Sequence, residues 1–101
     1  MAQCVDTHER EKNNIMYFTY VYLSKKDSNF YVGYTSDLKK RHKEHLSGNV
    51  PSTKNRLPVA LIYFECCLNQ NDALRREKFL KSGQGKRFLR KRLKNQLNDK
   101  K

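Results

Sequence analysis

The stretch YFTYVYLSKKDSNFYVGY, residues 17–34, holds five of the chain's six tyrosines, and its reading decides the fold. Its first part alternates: Phe18, Tyr20 and Tyr22 share one side, and Tyr17, Thr19, Val21 and Leu23 share the other. A period of two predicts a β-strand half-buried on a pleated sheet. SKKDSN, residues 24–29, reads as a polar turn, and FYVGY, residues 30–34, as a second short strand. A parallel crossover needs about a dozen residues or more, so strands this close pair as an antiparallel hairpin. On the second run Tyr31 and Gly33 face away from Phe30, Val32 and Tyr34. A glycine inside a strand marks a place where a helix or a ligand comes close to the backbone.

Working outward, Ser36 as N-cap and Asp37 in the first turn start a helix, DLKKRHKEHL, that stops near Gly48. SGNVPSTKNRLP, residues 47–58, is a loop carrying Lys54 and Arg56. VALIYFECC, residues 59–67, is rich in β-branched and aromatic residues and predicts a third strand. NQNDALRREKFLKSG, residues 69–83, predicts a second helix with Asn71 or Asp72 near its cap and Gly83 at its end. GKRFLRKRLKNQL, residues 85–97, predicts a third, with Leu89, Leu93 and Leu97 as a narrow stripe. The order β-β-α-β-α-α gives an α+β fold, a three-stranded, mostly antiparallel sheet flanked by helices. One domain is expected over residues 16–97, between polar tails at 1–15 and 98–101.

The chain has 22 Lys and Arg against 10 Asp and Glu in 101 residues, a formal charge of +12. So large an excess repels itself, and its commonest use is a polyanionic partner. No segment has the apolar length to span a bilayer, and MAQCVDTHEREKNNIM at the start has no apolar signal core. These readings place the chain in the cytoplasm, with Cys4, Cys66 and Cys67 reduced and no membrane partner. A zinc site from Cys4, His8, His42 and His45 is not expected, because the paired-ligand knuckle is missing.

Two helices carry polar groups where apolar ones belong. Ala73, Leu74 and Leu80 define the apolar stripe of the second helix, and Glu77 lies within it. A carboxylate there is salt-bridged, protonated or bound to a metal, since a bare buried charge is costly. On the first helix Leu38 and Leu46 mark the packing face, and His42 and His45 fall between or beside them. Arg41 and His45 are spaced i, i+4 and so are neighbours. Either His42 and His45 merely edge the core, or Arg41 beside His45 forms a clamp for a phosphate.

Tyr20-Val21-Tyr22, a short turn and Tyr31-Val32-Gly33 resemble the paired signature of the GIY-YIG nucleases. The resemblance continues through DLKKRHKEH, PVALIYFE and ALRREKFLKSGQGKRFL, and covers roughly residues 16 to 93. It implies phosphodiester hydrolysis assisted by one divalent cation, magnesium or manganese. By position, Glu77 would be the sole protein ligand of that metal. Arg41 would stabilise charge on the scissile phosphate. Tyr22 and Tyr31 would lie beside the attacking water, with Tyr22 favoured as base, and His45 would bond a tyrosine or assist proton transfer. Tyr34 stands where the excision-repair incision subunit's nuclease domain carries a lysine. Leu89 stands near the place of a late asparagine found in many members.

Lys39, Lys40, Lys54, Arg56, Lys86, Arg87 and Arg90 are the expected contacts to a nucleic-acid backbone, which position without reading sequence. DNA is the expected substrate, with RNA kept open, cut in a structure-selective or non-specific way in repair or recombination. Two other readings stand beside this one. The chain could keep the fold and bind nucleic acid with little cleavage, or it could depend on a protein partner for targeting.

Overall fold

β1 (Tyr17–Ser24) is the middle strand of a three-stranded sheet of order β2-β1-β3, with β2 (Phe30–Thr35) and β3 (Val59–Cys67) both antiparallel to it. The structure, a computed structural model, describes residues 15–98. The tails expected at 1–15 and 98–101 lie outside the described residues, apart from Ile15 and from Asn98, which closes the last helix. The fold is α+β, and the sheet is wholly antiparallel.

The helices are α1 (Leu38–Leu46), α2 (Pro51–Lys54), α3 (Gln70–Lys81), α4 (Gly83–Arg92) and α5 (Lys94–Asn98). Two elements differ from expectation. The supposed loop at 47–58 contains α2, a single turn opened by Pro51, whose missing N–H costs nothing at a helix start. The helix expected at 85–97 begins at Gly83 and breaks at Leu93, giving α4 and α5.

The caps also move. Asp37, not Ser36, caps α1, its carboxylate accepting from the Lys40 amide at 3.1 Å. Asn69, not Asn71 or Asp72, caps α3, accepting from both of their amides. Ser82 ends α3 and caps α4 at once, so Gly83 opens a helix rather than closing one. The close α3–α4 packing depends on Gly85, where a Cβ would fall on the carbonyl of Phe79.

The two faces of the sheet are chemically different. On one face Val21, Phe30, Leu80 and Leu89 form the hydrophobic core, with Leu23, Val32, Ile62, Phe79 and Phe88 packed around it. On the other, Tyr20, Tyr22 and Val59 are buried with Tyr31, Leu38, Leu57 and Leu61 about them. Leu46 and Leu74, expected on packing faces, are instead 51% and 39% exposed. α1 turns His45 inward in place of Leu46, and α3 is seated by Ala73 and Leu80, each with no exposed surface.

Glu65 is a further buried charge that pattern reading missed. Arg76 grips it through two bonds of 2.8 and 2.6 Å, and the Tyr63 hydroxyl donates to it at 2.9 Å. The Arg76 guanidinium also lies over the rings of Phe79 and Phe88. This pairing ties β3 to α3 and meets the rule that a buried carboxylate must be satisfied. Cys66 is buried and disulfide-bonded, against the expectation of a reduced thiol, while Cys67 is a free thiol.

Candidate active site

A cavity of about 250 Å³ is lined by Tyr20, Tyr31, Gly33, Arg41, His45 and Glu77, together with Val32, Tyr34, Ser52 and Lys81. Residues from both faces of β2 contribute, because β2 is an edge strand and α3 reaches the same rim. Four of the five residues expected at the site, Tyr31, Arg41, His45 and Glu77, therefore meet in one place.

The fifth does not. Tyr22 has no exposed surface and lines no part of this cavity. Its ring fills the space between β1 and α1, stacked on His42, and its hydroxyl shares a 2.6 Å hydrogen bond with His42 Nδ1. Burial pushes its phenol up to about 12. The tyrosine of β1 that faces the cavity is Tyr20, two residues earlier on the same side of the strand.

Tyr20 reaches that position because of Gly33. The two are paired across the hairpin, and a Cβ on Gly33 would fall on the Tyr20 hydroxyl and ring. The close approach read from this glycine is thus made by a tyrosine of the neighbouring strand, not by a helix or ligand.

The Tyr20 hydroxyl shares a 3.0 Å bond with His45 Nε2, and His45 Nδ1 shares a 2.7 Å bond with Thr53 Oγ1. His45 is 2% exposed, and its burial, then the positive charges of Arg41 and His42, lower its pKa to about 4. A neutral imidazole donates from one nitrogen and accepts at the other, so it links Thr53 to Tyr20 as a fixed chain. Burial also raises the Tyr20 phenol, with Arg41 pulling it down and Glu77 and Glu44 adding to the rise.

Tyr31 is set differently. It is half-buried, donates to Asp27 Oδ2 at 2.5 Å and accepts from Arg56 Nε at 2.8 Å. Arg41 stands on α1 with its guanidinium 3.4 Å from Glu44. Glu77 is an ion pair with Lys81, one turn on, at 3.1 Å, and its side chain is 22% exposed.

The expected basic contacts divide. Lys39, Lys40 and Lys54 are exposed on α1 and α2, on the cavity's side of the sheet, and Arg87 is exposed on α4. Arg56 is held by Asp27 and Tyr31 rather than lying free. Lys86 and Arg90, with Lys94, line a separate groove of about 430 Å³ between the hairpin turn and α4–α5.

Sequence reading missed Asp27, Thr53 and Lys81. Lys81 lies one turn from Glu77, and Asp27 sits in the turn leading into Tyr31, so both had a local signal. Thr53 had none, since α2 was read as loop.

Phenols, an imidazole, a guanidinium, an ammonium and one carboxylate converge on this small cavity of an α+β scaffold. The GIY-YIG catalytic domain model matches residues 16–94, and the chain belongs to that family. It is 42% identical over 72 residues to UPF0213 protein YazA of Bacillus subtilis, covering 70% of each chain. It is 40% identical over 67 residues to UPF0213 protein HQ_3675A of Haloquadratum walsbyi, covering 64% of this chain and 75% of that one. A solution NMR structure of UPF0213 protein BH0048 from Bacillus halodurans matches 74% of this chain and 82% of its own, with 31% identity and a TM-score of 0.49. No helix among the described residues is long and apolar enough to cross a membrane.

Proposed function

We propose that this chain is a divalent-metal-dependent endonuclease that hydrolyses DNA phosphodiester bonds, structure-selective or non-specific, in repair or recombination. The supporting observation is the convergence of Tyr31, Arg41, His45 and Glu77 on one cavity from β2, α1 and α3.

Arg41 brings a guanidinium to the cavity, suited to the charge that builds on a phosphoryl group as it is attacked. Tyr31 is the phenol beside the attacking water. Tyr20 and Tyr22 have phenols raised by burial, which suits hydrogen bonding rather than proton removal near neutral pH. His45 is a positioning residue, neutral at pH 7, that holds the Tyr20 hydroxyl.

Glu77 is the carboxylate that lines the cavity, and no cluster of three or more ligating side chains exists among the described residues. One carboxylate oxygen fits a magnesium or manganese ion that keeps most of its waters. Such an ion, when bound, adds Lewis-acid stabilisation of charge at the phosphate. The exposed Lys39, Lys40, Lys54 and Arg87 carry the phosphate backbone up to the site.

The Lys81–Glu77 ion pair favours a second reading, because an ammonium on the carboxylate competes with a metal. In that reading the protein binds nucleic acid and cuts little. Cleavage of linear, nicked and branched DNA with magnesium, with manganese and with EDTA separates the two. In the nuclease reading Glu77→Ala lowers cleavage by about a hundredfold or more while DNA affinity stays within about twofold. Tight binding without cutting under any metal establishes the second.

A further inference from the structure

We propose that Asp27 and Tyr31 form a two-residue proton relay, in which the Tyr31 hydroxyl takes a proton from the attacking water while passing its own to the Asp27 carboxylate. The proposal rests on the nuclease reading and assigns that site a residue outside the four that the family pattern supplies to the cavity.

The geometry is local and closed. Tyr31 donates its only proton to Asp27 Oδ2 at 2.5 Å, and Arg56 Nε donates to the Tyr31 oxygen at 2.8 Å. Arg56 Nε also stands 3.1 Å from Asp27 Oδ2. The other carboxylate oxygen, Oδ1, accepts the Asn29 amide at 2.9 Å, which fixes Asp27 from its own turn. An O–H···O⁻ bond this short is charge-assisted and among the stronger hydrogen bonds a protein makes. With its proton committed to Asp27 and one lone pair to Arg56, the phenol oxygen keeps one acceptor position for a water.

A free phenol titrates near ~10, so only about one in a thousand is ionised at pH 7. A relay removes the need for that ion. In one step a water O–H bond breaks and an O–H bond forms on Tyr31. The original Tyr31 O–H bond breaks, and one forms on Asp27. The water oxygen bonds to phosphorus as the bond from phosphorus to the leaving oxygen breaks. The leaving oxygen takes a proton from solvent, and Asp27 returns its proton there. Tyr31 is neutral before and after.

The groups around the relay keep its acceptor ionised. The hydrogen bond from Tyr31 holds the Asp27 carboxyl below the usual carboxylate range against its own desolvation, helped by Asn29, Ser24 and Arg56. Asp27 is therefore ionised at neutral pH and sheds the transferred proton quickly. Arg56 faces the charge that passes through the phenol oxygen. Across the cavity stand Arg41, Glu77, Lys81, Tyr20 and neutral His45.

The test is single-turnover DNA cleavage at saturating substrate from pH 6 to 9.5, by wild type, Asp27→Asn, Tyr31→Phe and the double variant. Asparagine still accepts the hydrogen bond but takes no proton, so a purely structural role leaves its rate near wild type. The relay requires a wild-type rate that is level across the range. It requires Asp27→Asn to be slower by about a hundredfold at pH 7, with substrate affinity unchanged and part of the loss recovered at high pH. It also requires the double variant to be no slower than Tyr31→Phe alone, because Asp27 acts only through Tyr31.

Asp27→Asn within about twofold of wild type, or single losses that multiply in the double variant, overturns the relay and leaves the nuclease standing. A wild-type rate rising tenfold per pH unit does the same. Asp27→Ser, at home in a turn, repeats the comparison if the amide unsettles the hairpin. A wild type that binds DNA and never cuts overturns the nuclease reading, and the relay with it.

Discussion

The two faces of β1 are built from alternate residues of one eight-residue strand, yet they obey different rules. Toward α3 and α4 the strand shows Thr19, Val21 and Leu23. Val21 joins a hydrophobic cluster, and the buried hydroxyl of Thr19 is spent on the Ala73 carbonyl at 2.8 Å. Toward α1 it shows Tyr20 and Tyr22, whose rings are as buried but whose hydroxyls each meet a histidine. The first face supplies stability by excluding water. The second gives up part of that stability for a polar network beside the cavity, a network that must be fully satisfied to be tolerated. One strand thus serves as core and as site wall because its period of two keeps the two jobs apart.

The largest effect that separates the faces is expected from Leu89→Ala. Leu89 has no exposed surface, so the cavity left should cost roughly 2–5 kcal/mol in a urea melt. Cleavage per folded molecule should stay at the wild-type level. A selective loss of cleavage at full stability would mean that this face is part of the site.

Acid probes the other face. His45 releases its proton near pH 4 in the folded chain against about 6.5 when unfolded. Between those values the unfolded chain binds more protons, so stability is complete above about pH 6.5 and falls as the pH drops toward 4. The shift corresponds to a loss of order 3 kcal/mol at its fullest. Asp27 and Glu65, whose carboxyls are held low, add their own acid losses at lower pH, so the comparison needs a control. His45→Gln should flatten the slope between pH 6.5 and 4.5 in thermal melts. An unchanged slope would show that His45 is charged or solvated in the folded protein.

The smallest effect sharpens the contrast within one face. Tyr22→Phe removes a hydroxyl bonded to His42 and should cost about 1 kcal/mol of stability. Cleavage should remain within about twofold, because Tyr20 and Tyr31 are the phenols that line the cavity. A collapse of cleavage at intact stability would return Tyr22 to the reacting groups.

Much of this was legible in residues 17–34. Alternation gave β1 and β2 and their antiparallel pairing, and it put Tyr20 with Tyr22 on one face of β1 and Tyr31 with Gly33 on one face of β2; the register of the pairing made these the same face. The Arg41–His45 spacing put both on one side of α1, and Glu77 on α3 announced itself by standing in an apolar stripe. What failed was choice among equivalents. Tyr20 and Tyr22 have the same parity, and no pattern tells which phenol lies under a helix and which under a glycine. Leu46 and Leu74 have the right residue type for burial, yet α1 and α3 turn neighbouring residues inward. Arg56 looked like any surface cation until its partners were known.

The sequence by itself determined the strands, the order of the main elements, the basic surface and most of the residue types that line the cavity, because these depend on local periodicity and charge. Tertiary structure alone decided that Tyr20, not Tyr22, faces the cavity. It also paired His45 with Thr53, Glu65 with Arg76, and Asp27 with Tyr31 and Arg56. Most of those partners lie many residues apart along the chain, and a hydrogen bond or ion pair acts only within a few ångströms, so only the folded chain can choose them.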